Sequence, residues 1–346
     1  MSAQFPLATS SWDQDEFAAL QRVIDSDQFS MGPEVRAFED QFARQFGSKH
    51  AIMVNSGSSA NLLIMAGLRY TKNDAIRIDE GAEIIVPAVS WSTTYYPLQQ
   101  YGLKLKFVDI DIDTLNYDLA ALKDAVSDNT RAIMVVNLLG NPNDFDALND
   151  IIDGRDIVMI EDNCESMGAT YNGREAGTFG IAGSFSGFFS HHISTMEGGI
   201  VTTDDEELYH VMLSIRAHGW TRNLPKFNHV TGEKSDDPFE ESFRFVLPGY
   251  NLRPLEMSGA LGLEQLKKLP GLIEGRRANG ALVQNRLGNH PKFKIQQEIG
   301  KSSWFGFSLV LRDAAPRAPF VRELVAAGFE VRPIVTGNFA KNEVMK

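Results

Sequence analysis

Two imidazoles stand side by side at His191 and His192, and a Glu197-Gly198-Gly199 turn follows them. An imidazole titrates at about pH 6.5, so it can take and return a proton near neutrality. A histidine pair can also hold a metal, but no third ligand lies at a helpful spacing. A solvated surface pair is the plain alternative. Asn55-Ser56-Gly57-Ser58-Ser59-Ala60-Asn61 offers a different chemistry. Backbone N–H groups at a helix start, with serine hydroxyls and a glycine that allows close approach, suit a phosphate. A simple serine N-cap and glycine turn would look the same. In Glu161-Asp162-Asn163-Cys164-Glu165, a carboxylate at a strand end could keep a ring nitrogen protonated, or merely open a helix with acid. Trp91 offers a flat face for stacking, although an indole in such a place is more often core.

These groups need elements to hold them. Six short apolar runs, at 51–56, 83–88, 104–110, 131–139, 156–162 and 199–204, read as strands. Segments 58–70, 92–101, 118–126, 143–153 and 205–217 carry helical spacing between them. Alternation of this kind predicts a mainly parallel sheet with helices on both faces. Ligands of such sheets sit beyond the strands' carboxyl ends, which is where Asn55, Trp91 and Asp162 fall. After Pro254 the pattern becomes a small α+β unit: a long helix at about 255–288, a strand at 304–312, a helix at 319–327 and a strand at 330–335.

Bulk properties narrow the function. The 346 residues can bury a large core, and 43% hydrophobic with 23% charged residues is ordinary globular composition. A net charge of −12 argues against nucleic acid or an anionic membrane as the main partner. No apolar run approaches about 18 residues, and the N-terminus lacks the basic-then-apolar order of a leader, so the cytoplasm is expected. Cys164 is the single cysteine, too few for a disulfide, a structural zinc cage or a four-cysteine iron–sulfur site.

From about residue 10 to 340 the order of motifs resembles the sugar aminotransferase family (DegT/StrS type) of fold-type I pyridoxal-phosphate enzymes. The matching stretches include Ser30-Met31-Gly32-Pro33, SGSSAN, PAVSW, FVDIDIDTLNYD, NLLGNP, IEDNCESMGA, SFSGFF, EGGIVTTDD, RAHGW and Gly249-Tyr250-Asn251-Leu252-Arg253-Pro254. The resemblance implies a mainly parallel seven-stranded sheet in a large domain (1–250), followed by a small α+β domain (251–346). It implies that Gly57, Ser58 and Ser186 bind the cofactor phosphate, and that Asn251 reaches it from the partner of a homodimer with a shared active site. Trp91 would stack on the pyridine ring, Asp162 would pair with its nitrogen, and Glu165 would lie near its phenolic oxygen. Phe243, Arg253 and Arg332 would lie near a nucleotide sugar. The chain stops at Met345-Lys346, short of where members of this family usually end.

One departure decides the expected chemistry. The family's cofactor-binding lysine falls on His191, four residues after Gly187 and six before Glu197, and no lysine lies between Lys123 and Lys226. An imidazole cannot form the stable imine that a primary amine forms. The string SHHISTMEGG resembles the lysine-lacking pyridoxamine-phosphate branch that removes a C3 hydroxyl from nucleotide-linked 4-keto sugars. A second branch with this histidine adds a [2Fe–2S] cluster and a reductase partner, which needs about four cysteines, so the cluster-free type is expected here. The resemblance therefore implies pyridoxal 5'-phosphate and pyridoxamine 5'-phosphate as cofactor, L-glutamate as amino donor and His191 as the acid–base group. A GDP-linked 4-keto-6-deoxymannose is the leading substrate, with other nucleotides and a heptose left open. A sugar 4-aminotransferase and a non-catalytic sugar-nucleotide-binding relative are the rival readings. His192 is read as packing or support.

Overall fold

The computed structural model describes residues 4–312 and 316–346. Its main sheet has strands β1 (His50–Val54), β2 (Glu83–Pro87), β3 (Lys104–Val108), β4 (Thr130–Val136), β5 (Val158–Asp162), β6 (Ala182–Ser186) and β7 (Gly199–Thr203). Their order across the sheet is β1-β7-β6-β5-β4-β2-β3, which makes seven strands. The neighbours from β6 to β3 run parallel, while β7 is antiparallel to both β1 and β6.

After α1 (Gln14–Ser26), helices α2 (Pro33–Phe46), α3 (Gly57–Tyr70), α4 (Ser92–Gln100), α5 (Leu119–Ala125), α6 (Phe145–Ile152) and α7 (Glu206–Arg216) cover the sheet. A short α8 (Pro238–Ser242), the long α9 (Glu256–Leu287) and α10 (Arg317–Ala326) follow. Among the described residues, no helix is long and apolar enough to cross a membrane.

Strand alternation sorts the core into two layers. Ala132, Met134 and Val136 of β4 join the layer with α3 and α7, packing with Leu63, Ile64 and Met212. Ile133 and Val135 face the other way, toward Leu122, Phe145 and Leu148. Strands covered on both faces need apolar residues at every position, which is why β1, β2, β4 and β5 read as continuous runs.

The six strands and five helices read from the apolar pattern are all present, with ends moved by a few residues. Strand β6, with sequence AGSFS, carries no apolar run, yet every residue of it is buried between β5 and β7. Helices α1 and α2 lie outside the segments that the sequence pattern singled out.

Two expectations in the last hundred residues need correction. The strand expected at 304–312 shrinks to Val310–Leu311, paired with Phe293–Lys294. Trp304 has a left-handed backbone (φ 48°), which no strand accommodates. The strand expected at 330–335 is absent. Its backbone pairs no further than the Phe5–Phe329 bridge, and Pro333 has no N–H to give a ladder.

A buried ion pair fastens α2, β1 and α7 together. Glu39 on α2 accepts the Met53 N–H of β1 at 2.7 Å and pairs with Arg216 at the end of α7, which also donates to the Met53 carbonyl at 2.8 Å. Removing one partner leaves a charge in the core without compensation. Arg216→Met should therefore lower unfolding stability by about 3–5 kcal/mol in chemical denaturation. A loss under about 1 kcal/mol would mean that Glu39 finds another partner.

Candidate active site

The sheet's carboxyl edge meets the starts of α3 and α4, and the polar residues read from the sequence collect there. Asp162 ends β5 and is 5% exposed. Its neighbour Glu161 points to the opposite face, as strand alternation requires. There Glu161 accepts N–H bonds from Gly177 (2.6 Å), Phe179 (2.5 Å) and Gly180 (2.8 Å), a purely structural use of a carboxylate.

Two helices hold Asp162 from the site side. Its Oδ2 accepts from Asn61 Nδ2 of α3 at 2.8 Å and from Thr94 Oγ1 of α4 at 2.7 Å. Among the described residues its Oδ1 accepts only the Cys164 N–H, at 3.2 Å, so that oxygen keeps a lone pair for a further donor. Asn61 is itself oriented by Ser184 Oγ, which donates to its Oδ1 at 2.6 Å. The carboxylate is thus fixed in place before any ligand arrives.

The start of α3 lies beside Ser186. Ser56 is the N-cap and accepts the Ser59 N–H at 3.1 Å, leaving the N–H groups of Gly57 and Ser58 at the helix mouth. A Cβ on Gly57 would come within 2.9 Å of Ser186 Cβ and 2.8 Å of Cys164 Sγ. Only a glycine lets the helix start approach Ser186 this closely. The Ser58 hydroxyl lies 2.8 Å from Thr93 Oγ1, and Ser186 Oγ accepts the Phe188 N–H at 3.2 Å. Helix-end N–H groups, the helix dipole and two hydroxyls form a seat for an anion.

Trp91 is the residue just before α4, and it is 58% exposed. The core reading of this indole is therefore wrong. A large flat ring left open three residues from Thr94 is a platform.

His191 is half-buried in the turn between β6 and β7. Its backbone N–H bonds the Phe188 carbonyl at 2.8 Å, and its ring lies 5.7 Å from that of Phe188 and 4.9 Å from that of Phe305. Its Nδ1 is buried and has no hydrogen-bond partner. Burial, helped by the Arg276 guanidinium, pulls its pKa down to about 4. The sequence reading used the unperturbed value; in the folded chain the ring is neutral well below pH 7.

His192 is fully buried, with Nε2 at 3.2 Å from the Ser303 carbonyl. It serves as packing and as an anchor for that segment. Among the described residues no cluster of three or more His, Cys, Asp and Glu side chains could hold a metal.

Glu165 is tied to His191 through the backbone. Its Oε2 accepts the Leu139 N–H at 3.0 Å, and burial pushes its carboxyl up to about 7. Leu139 is left-handed (φ 54°), and its carbonyl accepts the Phe305 N–H at 3.0 Å. Phe305 then lays its ring against His191. Asn61, Thr94, Leu139 and Phe305 are site residues that the reading for single functional groups passes over. Asn61 left one trace, an amide inside the otherwise apolar helix NLLIMAG.

The remaining residues lie apart within one chain. Asn251 is exposed, and its Oδ1 accepts Arg253 Nε at 2.9 Å. Next to it, the Leu252 carbonyl accepts the Asn55 N–H at 3.0 Å, which brings the segment to the edge of the anion seat. Phe243 is 69% exposed beside Trp220, and Arg332 is exposed. Among the described residues no hydrogen bond joins Asn251, Phe243, Arg253 or Arg332 to the Asp162 group.

Sheet order, anion seat, buried carboxylate and open indole together define the architecture of fold-type I pyridoxal-phosphate enzymes. The chain belongs to the DegT/DnrJ/EryC1/StrS aminotransferase family, whose model matches residues 10–344. It is 63% identical over 345 residues to GDP-4-keto-6-deoxy-D-mannose 3-dehydratase of Yersinia pseudotuberculosis, covering 99% of this chain and 87% of that protein. The solved structure of the E. coli GDP-4-keto-6-deoxy-D-mannose-3-dehydratase with bound hydrated PLP is 62% identical and matches with a TM-score of 0.98. That match covers 100% of this chain and 89% of that one. A GDP-4-keto-6-deoxymannose-3-dehydratase structure with a trapped PLP-glutamate geminal diamine is 62% identical and matches with a TM-score of 0.97, covering 99% and 89%. The family and fold expected from the motifs stand.

The depressed His191 value has a consequence for stability. An unfolded imidazole takes its proton at about pH 6.5, whereas the folded one waits until about 4. His191 therefore supports folding fully above the unfolded value, and that support is lost as pH falls through the folded one. Denaturation measured from about pH 7 to about pH 4 should show His191→Asn losing less stability than the native chain. Parallel pH slopes would show that the ring titrates alike in both states.

Proposed function

We propose that this chain is a glutamate-requiring, pyridoxal/pyridoxamine 5'-phosphate-dependent C3 dehydratase of a nucleotide-linked 4-keto-6-deoxy sugar. The leading substrate is GDP-4-keto-6-deoxy-D-mannose, and the product is GDP-4-keto-3,6-dideoxy-D-mannose, a step of dideoxysugar biosynthesis. The carrying observation is His191, a neutral imidazole in the turn that follows Ser186, where the resemblance puts the family's lysine. Relatives that share 63% of its residues over nearly the whole chain bear that activity in their names.

The residues present fit the cofactor. The seat of Gly57, Ser58 and Ser186 suits its phosphate, Trp91 its ring face, and the spare lone pair of Asp162 Oδ1 its ring nitrogen. When bound, pyridoxamine phosphate supplies the amine for the sugar's C4 carbon and a protonated ring that takes up electrons. Asp162 keeps the proton on the ring nitrogen by accepting its hydrogen bond in a buried place, where such a bond is strong. Glu165, held by Leu139, stands ready to interact with the ring's phenolic oxygen.

His191 enters neutral; with the cofactor bound it would take a proton from the cofactor's exocyclic carbon (C4′) and pass one to the sugar's C3 oxygen, which leaves as water. The two electrons that replace the lost hydroxyl come from L-glutamate, which is consumed in each turnover and leaves as 2-oxoglutarate with free ammonia. The imidazole is shorter and stiffer than a lysine arm, which works against the proton delivery to sugar C4 that amination requires. A second copy of the chain would complete the site with its Asn251, whose exposure in a single chain leaves it open to a neighbouring copy. Phe243 and Arg332, exposed in a single chain, and the half-buried Arg253 would meet the nucleotide sugar.

Incubation with L-glutamate, cofactor and the GDP-linked keto sugar should yield a product lighter by one oxygen, together with ammonia, by mass spectrometry. An amino sugar would make the protein an aminotransferase. His191→Asn should bind the cofactor and lower turnover by about 10²–10⁴-fold; unchanged turnover would remove His191 from the reaction.

A further inference from the structure

The segment 302–305 lies between the histidine turn and helix α9, and both sides hold it. On the β4 side, Ser303 N–H donates to the Gly140 carbonyl at 2.9 Å and Phe305 N–H to the Leu139 carbonyl at 3.0 Å. On the helix side, Arg276 Nη1 donates to the carbonyls of Trp304 (3.0 Å) and Phe305 (3.2 Å), while Arg277 Nε reaches Ser302 at 3.0 Å. One turn beyond Arg276, a Cβ on Gly280 would lie 2.5 Å from the Trp304 indole, so a glycine there lets the indole lie flat on the helix. The segment presents the Phe305 ring to both histidines, at 4.9 Å from His191 and 5.7 Å from His192.

Arg276 is unusual within this arrangement. Its bonds are to two carbonyls, and among the described residues it has no carboxylate partner. A half-buried guanidinium without a counter-charge acts on whatever charge develops nearby. The titratable and charged groups facing His191 are Arg276 from α9 and His192 from its own turn. Glu165 is connected only through Leu139 and Phe305.

We infer that Arg276 is a positioning residue for the acid–base step: it fixes Phe305 against the His191 ring and holds a positive charge on that side of the imidazole. Burial already favours the neutral ring; Arg276 adds to that preference and keeps His191 still, ready to take a proton, and the same charge speeds the proton's onward transfer to the leaving oxygen. This inference rests on the dehydratase reading for its place in the reaction, but not for its effect on His191. A like charge favours the neutral ring, so losing the guanidinium removes its share of that preference while burial keeps the larger part.

The test is a histidine side-chain NMR titration of the cofactor-free protein, with His191 assigned by loss of its resonance in His191→Asn. Arg276→Gln should raise the His191 midpoint by about one pH unit and broaden its resonance as Phe305 loosens. Arg276→Lys, which keeps the charge with fewer donors, should restore most of the midpoint. In the loaded enzyme Arg276→Gln should lower kcat by about ten-fold with KM for the sugar nucleotide little changed. A His191 midpoint unmoved in both variants would overturn the inference. If the native protein made no deoxy sugar, the dehydratase reading would fall while the titration still decided the role of Arg276.

Discussion

A carboxylate buried at a strand end must be paid for by hydrogen bonds, and Asp162 receives them from two helices and its own loop. Asn61 and Thr94 occupy one oxygen, and the Cys164 N–H takes part of the other. This arrangement fixes more than one side chain. It sets the starts of α3 and α4 against β5, and so places the anion seat at one end of the cleft and Trp91 along its flank. A ring whose nitrogen bonds Asp162 has its phosphate and its face positioned by the same three elements.

That constraint matters more here than in lysine-bearing relatives. On the proposed reading there is no covalent tether, and the cofactor's position would depend on the anion seat, the indole and the Asp162 bond acting together. Such groups are effective when they are held before the ligand binds, because little ordering remains to oppose binding. The bond from Ser184 to Asn61 and the hydroxyl contact between Thr93 and Ser58 supply that order. The imidazole of His191 is held differently, by aromatic edges and one backbone bond. Among the described residues its Nδ1 has no hydrogen-bond partner, as would suit the proposed role of giving and taking a proton.

Much of the frame was legible in the sequence because parallel strands covered on both faces demand apolar runs, and the runs at β1, β2 and β5 deliver Asn55, Trp91 and Asp162 at their ends. Strand β6 was hidden by its composition, since AGSFS is held by neighbours rather than by its own apolar side chains. The chemistry proposed for the site was read from the histidine at the position that the resemblance gives to the lysine. Its proton affinity was not, because burial and the distant Arg276 set it, and no local pattern encodes either. The stretch 304–312 misled for a related reason: aromatic and β-branched residues suggest a strand, but Trp304 and Phe305 are used to wedge the histidine turn against α9. Exposure of Trp91 was likewise a property of the assembled cleft.

The central claim is that the B6 cofactor works in this cleft with no covalent bond to the chain. Borohydride reduction of the protein saturated with pyridoxal phosphate, followed by intact-mass measurement, tests it directly. The account predicts the unmodified mass for the native chain and one stoichiometric phosphopyridoxyl group for His191→Lys. A stoichiometric adduct on the native chain, mapped to any lysine lining the cleft, would contradict it.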